Sequence, residues 1–391
     1  IEEVRQKIDM NTDFLNQMVS KLKEKDAIKS IEVEKAFNTV LRHKFIETFY
    51  LSTDLQQPII NQPDNANPEH LKLIYSNKSI ITRISDGKAS SSTSEPFLMA
   101  YMLELLALSS NMKVLEIGTG TGYNAALMSE IVGNQNQIVS VDIQEDVIAQ
   151  TRRLLSNAGY ANINIVLGDG FYGVPEQAPY DRIIATVGTQ DISPHWVAQL
   201  STSGWMILPL YHGGWNPLVK IWWQDDKLKG KVCGISAFIP FQGSEFSYDP
   251  SPLGSLKSFP DIEEFEELPL FDGLETEHNR NPLMWSAFPI GFHYFMAMCD
   301  SRVMWGMKPP GYGLYDEQEG IVLISPQRNC IFLKGNRKLY ERLGELFENW
   351  TNLGKPRPFD YDIEFLPKSE AVSSRKGWKI ERKFYNQFLS L

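Results

Sequence analysis

Apolar residues recur at helical spacing through the first part of the chain. Val4, Ile8, Met10, Leu15, Met18, Val19 and Leu22 form one series and residues 31–41 a second. This spacing predicts helices within a polar N-terminal region, 1–75. Gln57-Pro58 and the run Asn61-Gln62-Pro63-Asp64-Asn65-Ala66-Asn67-Pro68 then predict a surface loop. The stretch from Ser85 to Pro96 is rich in serine and has no hydrophobic period. Phe97, Leu98, Ala100, Tyr101, Leu103, Leu105 and Leu106 follow it with a broad apolar face. Ser94 is the expected N-cap of that helix, because its hydroxyl can accept from an orphan N–H, and Pro96 suits the first turn.

From 112 to about 243 the pattern alternates. Strand-length apolar runs at 113–117, 137–141, 163–167, 182–185 and 205–209 are separated by helical patterns such as 123–132 and 145–158. That alternation predicts βαβ units and a parallel sheet. Runs at 217–224 and 231–241 predict a hairpin turning at Asp225-Asp226-Lys227. Beyond 244 the character changes. An acidic stretch at 260–267 reads as a solvated face. Strands are expected at 320–324, 330–333 and 361–366, and a helix over 337–352 capped by Asn336 and stopped by Gly354. The expected organisation is an N-terminal helical region (1–75), an α/β domain (76–243) and an α+β C-terminal extension (244–391).

Composition narrows the function. A length of 391 residues suits two domains. Asp and Glu (48) outnumber Lys and Arg (38), a net charge of −10 that disfavours nucleic acid. Cys233, Cys299 and Cys330 are too scattered for a disulfide framework or a zinc site, so no metal is expected. No apolar run is long enough to span a bilayer and no signal peptide is evident, which makes the cytoplasm the expected location.

The chemistry concentrates at Val114-Leu115-Glu116-Ile117-Gly118-Thr119-Gly120-Thr121-Gly122-Tyr123, an apolar strand ending in E-x-G-x-G-x-G and opening a helix. Glycines let the backbone turn tightly and approach a ligand, and the helix N-terminus offers free N–H groups. A dinucleotide fingerprint would place its last glycine at position 123, where Tyr123 stands. The spacing instead resembles the first motif of S-adenosylmethionine-dependent methyltransferases. That resemblance implies a Rossmann-like fold and cofactor contacts from Glu116, Gly118, Thr119, Gly120, Gly122 and Tyr123. It also implies that Asp142 and Ile143, after the second strand, meet the ribose and adenosine. Asp169 and Gly170, after the third, resemble the adenine-binding turn, although a simple capping turn would read the same.

Residues 35–243 are similar to the protein-L-isoaspartate O-methyltransferase family. Arg42-His43-Lys44-Phe45 resembles its PR-x-x-F segment, with Leu41 in place of the proline. Gly87 to Pro96 resembles its G-x-T-I-S-x-P substrate loop, Arg182-Ile183-Ile184-Ala185-Thr186 its fourth strand, and Phe238-Ile239-Pro240 its F-V-P close. The resemblance implies a carboxyl O-methyltransferase that turns S-adenosylmethionine into S-adenosylhomocysteine and acts on an Asp- or isoAsp-containing peptide. Ser94 aligns with the family's active-site serine, and Ser91, Ser92 and Thr93 are the neighbouring candidates. A carboxylate is already ionised at neutral pH, so no general base is needed. His195 and His212 are expected to pack rather than to catalyse.

The departures are the additional serines before Ser92, Glu95, and the long stretch after 243, which the ordinary repair enzyme is expected to lack. The serine-rich loop, the C-terminal extension and about this total length together resemble a branch that methylates Asp in ribosomal precursor peptides of the lanthipeptide or lasso type, the ester collapsing to aspartimide or isoaspartate. The alternatives are a general repair enzyme with an appendage, a non-catalytic peptide-binding protein with a vestigial cofactor fold and, least favoured, a nicotinamide oxidoreductase.

Overall fold

A computed structural model describes residues 2–246, 262–274, 290–307, 310–325, 328–370 and 376–391. It divides into two compact units. The first comprises Ile1–Val187, Ser193–Leu208 and Phe241–Phe246; the second comprises Gly188–Ile192, Pro209–Pro240 and Ser247–Leu391. The boundary therefore differs from the expected 76–243 domain. Residues 209–240 belong with the C-terminal part of the chain, because the hairpin they form pairs with a strand near position 365.

The first unit opens with α1 (Glu2–Glu24) and α2 (Ile31–Thr39). Ser30 caps α2, accepting from Val33 N at 3.3 Å, and buries Val33, Ala36 and Phe37 on its inner side. Then come β1 (Thr48–Leu51), β2 (Asp54–Ile60), α3 (Pro68–Ile74), β3 (Ile80–Ser85) and β4 (Lys88–Thr93). The strands form a small antiparallel sheet in the order β2-β1-β3-β4. Residues 61–67 form the expected loop, whereas Gln57-Pro58 falls within β2 and the serine run within β4. The serine run is extended because Asp86 and Gly87, at φ +51° and +72°, close a tight hairpin between Ser85 and Lys88. Positive φ at both central positions matches the right-handed strand twist.

The rest of this unit alternates: α4 (Pro96–Leu106), β5 (Val114–Ile117), α5 (Tyr123–Val132), β6 (Ile138–Asp142), α6 (Glu145–Asn157), β7 (Asn164–Leu167), β8 (Tyr180–Ala185), α7 (Pro194–Gln199) and β9 (Leu200–Pro209). Its sheet is parallel in the order β9-β8-β5-β6-β7, as the alternation predicts. Strand β5 is buried along its whole length, between β6 on one side and β8 on the other. The order reverses at β5, and such a switch point opens a crevice at the carboxyl ends of the strands.

In the second unit, β10 (Asn216–Gln224) and β11 (Lys227–Ser236) turn through Asp225 and Asp226 at φ +50° and +58°. Downstream lie β12 (Glu266–Pro269), α8 (Ile290–Cys299), β13 (Val303–Met307), β14 (Pro310–Asp316), β15 (Gly320–Ser325), β16 (Cys330–Gly335), α9 (Arg337–Asn352), β17 (Asp362–Pro367), β18 (Trp378–Ile380) and β19 (Tyr385–Ser390). One antiparallel run is β18-β19-β17-β11-β10, and a separate 5-stranded sheet is β12-β16-β15-β14-β13. Helix α9 has the expected N-cap, Asn336 accepting from Lys338 N at 3.0 Å, and it buries Leu339, Leu343, Leu346 and Trp350. In the acidic stretch, Glu264 pairs with Lys334 and Glu266 with Arg337; residues 260 and 261 lie outside the described residues.

Candidate active site

The carboxyl end of β5 runs straight into the glycine turn. Gly118 takes φ +98°, and a Cβ there would stand 2.9 Å from both Thr186 Oγ1 and Val187 Cγ1. Thr186 in turn donates to Gly118 O at 2.7 Å. Gly120, at φ +51°, faces the serine strand: its Cβ would lie 3.3 Å from Ser92 O and 3.9 Å from Ser91 Oγ. The sequence places these segments about thirty residues apart; the fold brings them into van der Waals contact. Gln144, just before α6, adds a second tie by donating to Ser90 O at 3.1 Å.

Asp142, at the tip of β6, accepts from Thr119 N at 3.1 Å and Gly120 N at 3.2 Å through one oxygen, and from Gln144 N at 3.1 Å through the other. Burial raises its pKa, and the backbone N–H groups oppose that rise. The carboxylate thus fixes the glycine turn while staying half-exposed, able to accept ribose hydroxyls. Ile143 beside it is 41% exposed, an apolar face left open to a flat ring. Glu116 has a different place. It is wholly buried, with Asn124 Nδ2 on one oxygen and Ser140 Oγ on the other, both at 2.7 Å. Ser140 also meets Thr119 Oγ1 at 2.8 Å, so Glu116 holds the turn from beneath. Burial pushes its pKa up to about 7.

Two further candidates, Tyr123 and Asp169, are likewise engaged by the protein itself. The Tyr123 ring turns away from the crevice into the core, packing against Phe37 and Phe45, because the first helical residue after the turn points back under α2. Only its backbone remains at the turn. Asp169 accepts from Phe171 N at 2.9 Å and from Ser244 N and Oγ at 2.8 and 2.9 Å, so it caps the turn at Gly170 and fastens residue 244. Gly170 is packed against Ile117 and Phe241.

Ser91 and Thr93 are buried and Ser92 and Ser94 half-buried on and just past β4; Ser91 Oγ lies 3.4 Å from Thr82 Oγ1. Ser94 is not the N-cap of α4. That position belongs to Glu95, which makes no side-chain capping bond. Asn77 Oδ1 instead accepts from Phe97 N at 2.8 Å. Arg42, fully buried, donates to Ser94 O at 2.9 Å and also to the carbonyls of Ile74, Ser76 and Lys78. Burial lowers its pKa to about 10. Arg42 was legible only as part of a family segment, and nothing in the sequence marked Asn77. His195 is exposed and packs edge-on with Phe171 and Tyr172, and His212 is buried against Tyr294, as expected.

A glycine cradle at the switch point, an acidic residue at the next strand tip and an exposed apolar residue beside it fit a nucleoside bearing a small charged chain. They define an S-adenosylmethionine-dependent methyltransferase, with S-adenosylhomocysteine as product. The family model for protein-L-isoaspartate(D-aspartate) O-methyltransferase matches residues 13–246, and the chain belongs to that family of carboxyl methyltransferases.

Among relatives, the protein-L-isoaspartate O-methyltransferase of Pyrococcus horikoshii is 34% identical over 58% of this chain and 91% of its own length. The Thermotoga maritima enzyme is 42% identical over 34% of this chain and 41% of its own length. A solved protein-L-isoaspartate O-methyltransferase superposes with a TM-score of 0.52 at 24% identity, over 90% of this chain and 96% of that one. This last likeness is one of fold alone. Its coverage extends the fold likeness beyond residue 243, which the sequence resemblance did not reach.

Proposed function

We propose that the chain methylates an Asp- or isoAsp-derived carboxylate of a peptide, presented by residues 91–94. One observation carries this reading: the serine strand runs beside the glycine turn, with Ser92 O and Ser91 Oγ 3.3 and 3.9 Å from where a Cβ of Gly120 would stand, which brings its hydroxyls close to the seat proposed for the cofactor. S-adenosylmethionine supplies an electrophilic methyl on its sulfonium. The chain's own task is positional. The hydroxyls of Ser94 and its neighbours hold an ionised oxygen in line, and Asp142 and the glycine turn hold the nucleoside. Such orientation is worth several kcal/mol, up to about 7–11 in the best intramolecular cases. Once the ester exists, the next residue's backbone nitrogen attacks its carbonyl, the C–O bond to methoxide breaks, and the amide proton leaves with methanol.

The finer reading is an Asp side chain in a ribosomal precursor peptide. It is supported by the additional serines and by Glu95, which widen the departure from the family loop. General isoaspartyl repair fits as well, since the relatives are named protein-L-isoaspartate O-methyltransferases and a solved structure of that name shares the fold over most of the chain. The test compares an isoaspartyl hexapeptide with a macrocyclic peptide bearing ordinary Asp, following by mass spectrometry the gain of one methylene and then the loss of methanol. Activity on the isoaspartyl peptide alone removes the precursor reading. Activity on neither, with S-adenosylhomocysteine bound normally, leaves a cofactor-binding protein without this chemistry.

A further inference from the structure

We propose that Asn77 and Arg42 form a clamp that relieves Ser94 of structural duty at the start of α4, leaving its hydroxyl for substrate. The proposal builds on the role given to Ser94 above. A serine at a strand-to-helix turn ordinarily spends its hydroxyl on an orphan N–H. Here that work is done from elsewhere. Pro96 has no N–H, the next donor is Phe97 N, and Asn77 Oδ1 takes it at 2.8 Å. The Ser94 carbonyl is taken by Arg42 Nη2 at 2.9 Å.

The two devices are one assembly. Arg42 holds Ile74 O at 2.6 Å, Ser76 O at 3.3 Å and Lys78 O at 3.2 Å, which brackets Asn77 on both sides. A planar guanidinium can bridge the 74–78 segment and Ser94 together; a lysine ammonium cannot reproduce that fork. The nearby Glu95 charge also favours keeping Arg42 charged in this buried place. Among the described residues, Ser94 Oγ has no hydrogen-bond partner, and the residue is half-buried. Asn77 and Arg42 are thus positioning residues, and neither touches the reacting atoms.

A stability cycle tests the clamp without any substrate. Thermal unfolding is measured for the full chain, Asn77→Ala, Ser94→Ala and the double variant. Ser94→Ala alone should leave the melting temperature unchanged, and Asn77→Ala should lower it by a few degrees. In the Asn77→Ala background, Ser94→Ala should cost a further drop, because the hydroxyl has been recruited as the replacement cap. A drop for Ser94→Ala in the otherwise unaltered chain, or simple additivity, overturns the proposal.

The kinetic arm uses whichever of the two peptides above is methylated. Asn77→Ala and Arg42→Lys should each lower kcat roughly 10- to 100-fold, with S-adenosylhomocysteine affinity unchanged. Neither should slow the Ser94→Ala enzyme further. Unchanged kcat in Asn77→Ala, or loss of cofactor affinity in step with kcat, rejects the clamp. If Ser94→Ala itself keeps full activity while the stability cycle comes out as expected, the clamp stands and the carboxylate role of Ser94 fails.

Discussion

Glycine-to-alanine substitution at Gly133, Gly120 and Gly118 separates the backbone from the steric role of the cofactor turn. All three have positive φ, at +69°, +51° and +98°, but the space a methyl group would enter differs. At Gly133, beyond α5, nothing lies within 4 Å. Alanine there should cost about 1–2 kcal/mol of stability for left-handed backbone and leave cofactor affinity untouched. At Gly120 the same backbone term applies, and the methyl presses on Ser92 O from 3.3 Å. The serine strand must yield by a few tenths of an ångström. Stability should fall as for Gly133→Ala, and S-adenosylhomocysteine affinity by about tenfold, or roughly 1.4 kcal/mol. At Gly118 the backbone lies outside the left-handed well, and the methyl meets Thr186 and Val187 at 2.9 Å. The combined cost should be about 3–5 kcal/mol, with binding lost. Urea unfolding and calorimetric titration with S-adenosylhomocysteine read both quantities. Equal affinities across the three variants, or a binding defect in Gly133→Ala as large as in Gly118→Ala, would refute the reasoning that the turn itself is the seat.

Three further outcomes follow from the site. Ser94→Ala should lower peptide methylation by about 100-fold at unchanged cofactor affinity, the scale expected for one donor to a reacting oxygen; unchanged turnover would remove Ser94 from the chemistry. Tyr123→Phe removes a buried hydroxyl that lacks a hydrogen-bond partner, so stability should hold or rise by about 1 kcal/mol and cofactor affinity should not move; weaker binding would put the ring back in the crevice. Glu116 is raised from 4.5 to about 7, so its burial costs nothing below the unfolded value, costs progressively more as pH rises through that window, and levels off above about 7. Glu116→Gln should therefore gain on the wild type between those pH values, by up to about 3 kcal/mol, in denaturation series; a constant difference would deny the shift.

The parallel sheet was legible because its strands are buried on both faces and so read as unbroken apolar runs, as in Val114-Leu115 and Ile183-Ile184. The tight turn at Asp225-Asp226 and the Asn336 cap were legible because local chemistry decides them. What escaped was decided over distance. Strands β1 to β4 are largely half-exposed and carry Gln, Ser and Lys, so their order comes from pairing, not from an apolar period. The helix cap was misplaced on Ser94 because its true donor of an oxygen, Asn77, stands twenty residues earlier. Tyr123 looked like part of the site because it adjoins Gly122, and only packing against Phe37 and Phe45 shows where its ring goes.

The chain leaves the first unit at residue 187, returns for 193–208, leaves again and comes back for 241–246 before its final departure. No single cut can therefore excise either half intact. A truncation at 245 would keep the β10–β11 hairpin but strip it of β17, its neighbour from residues 362–367. Chimeras intended to exchange the second unit must replace 188–192 and 209–240 along with everything from 247 onward, and leave 193–208 and 241–246 in place.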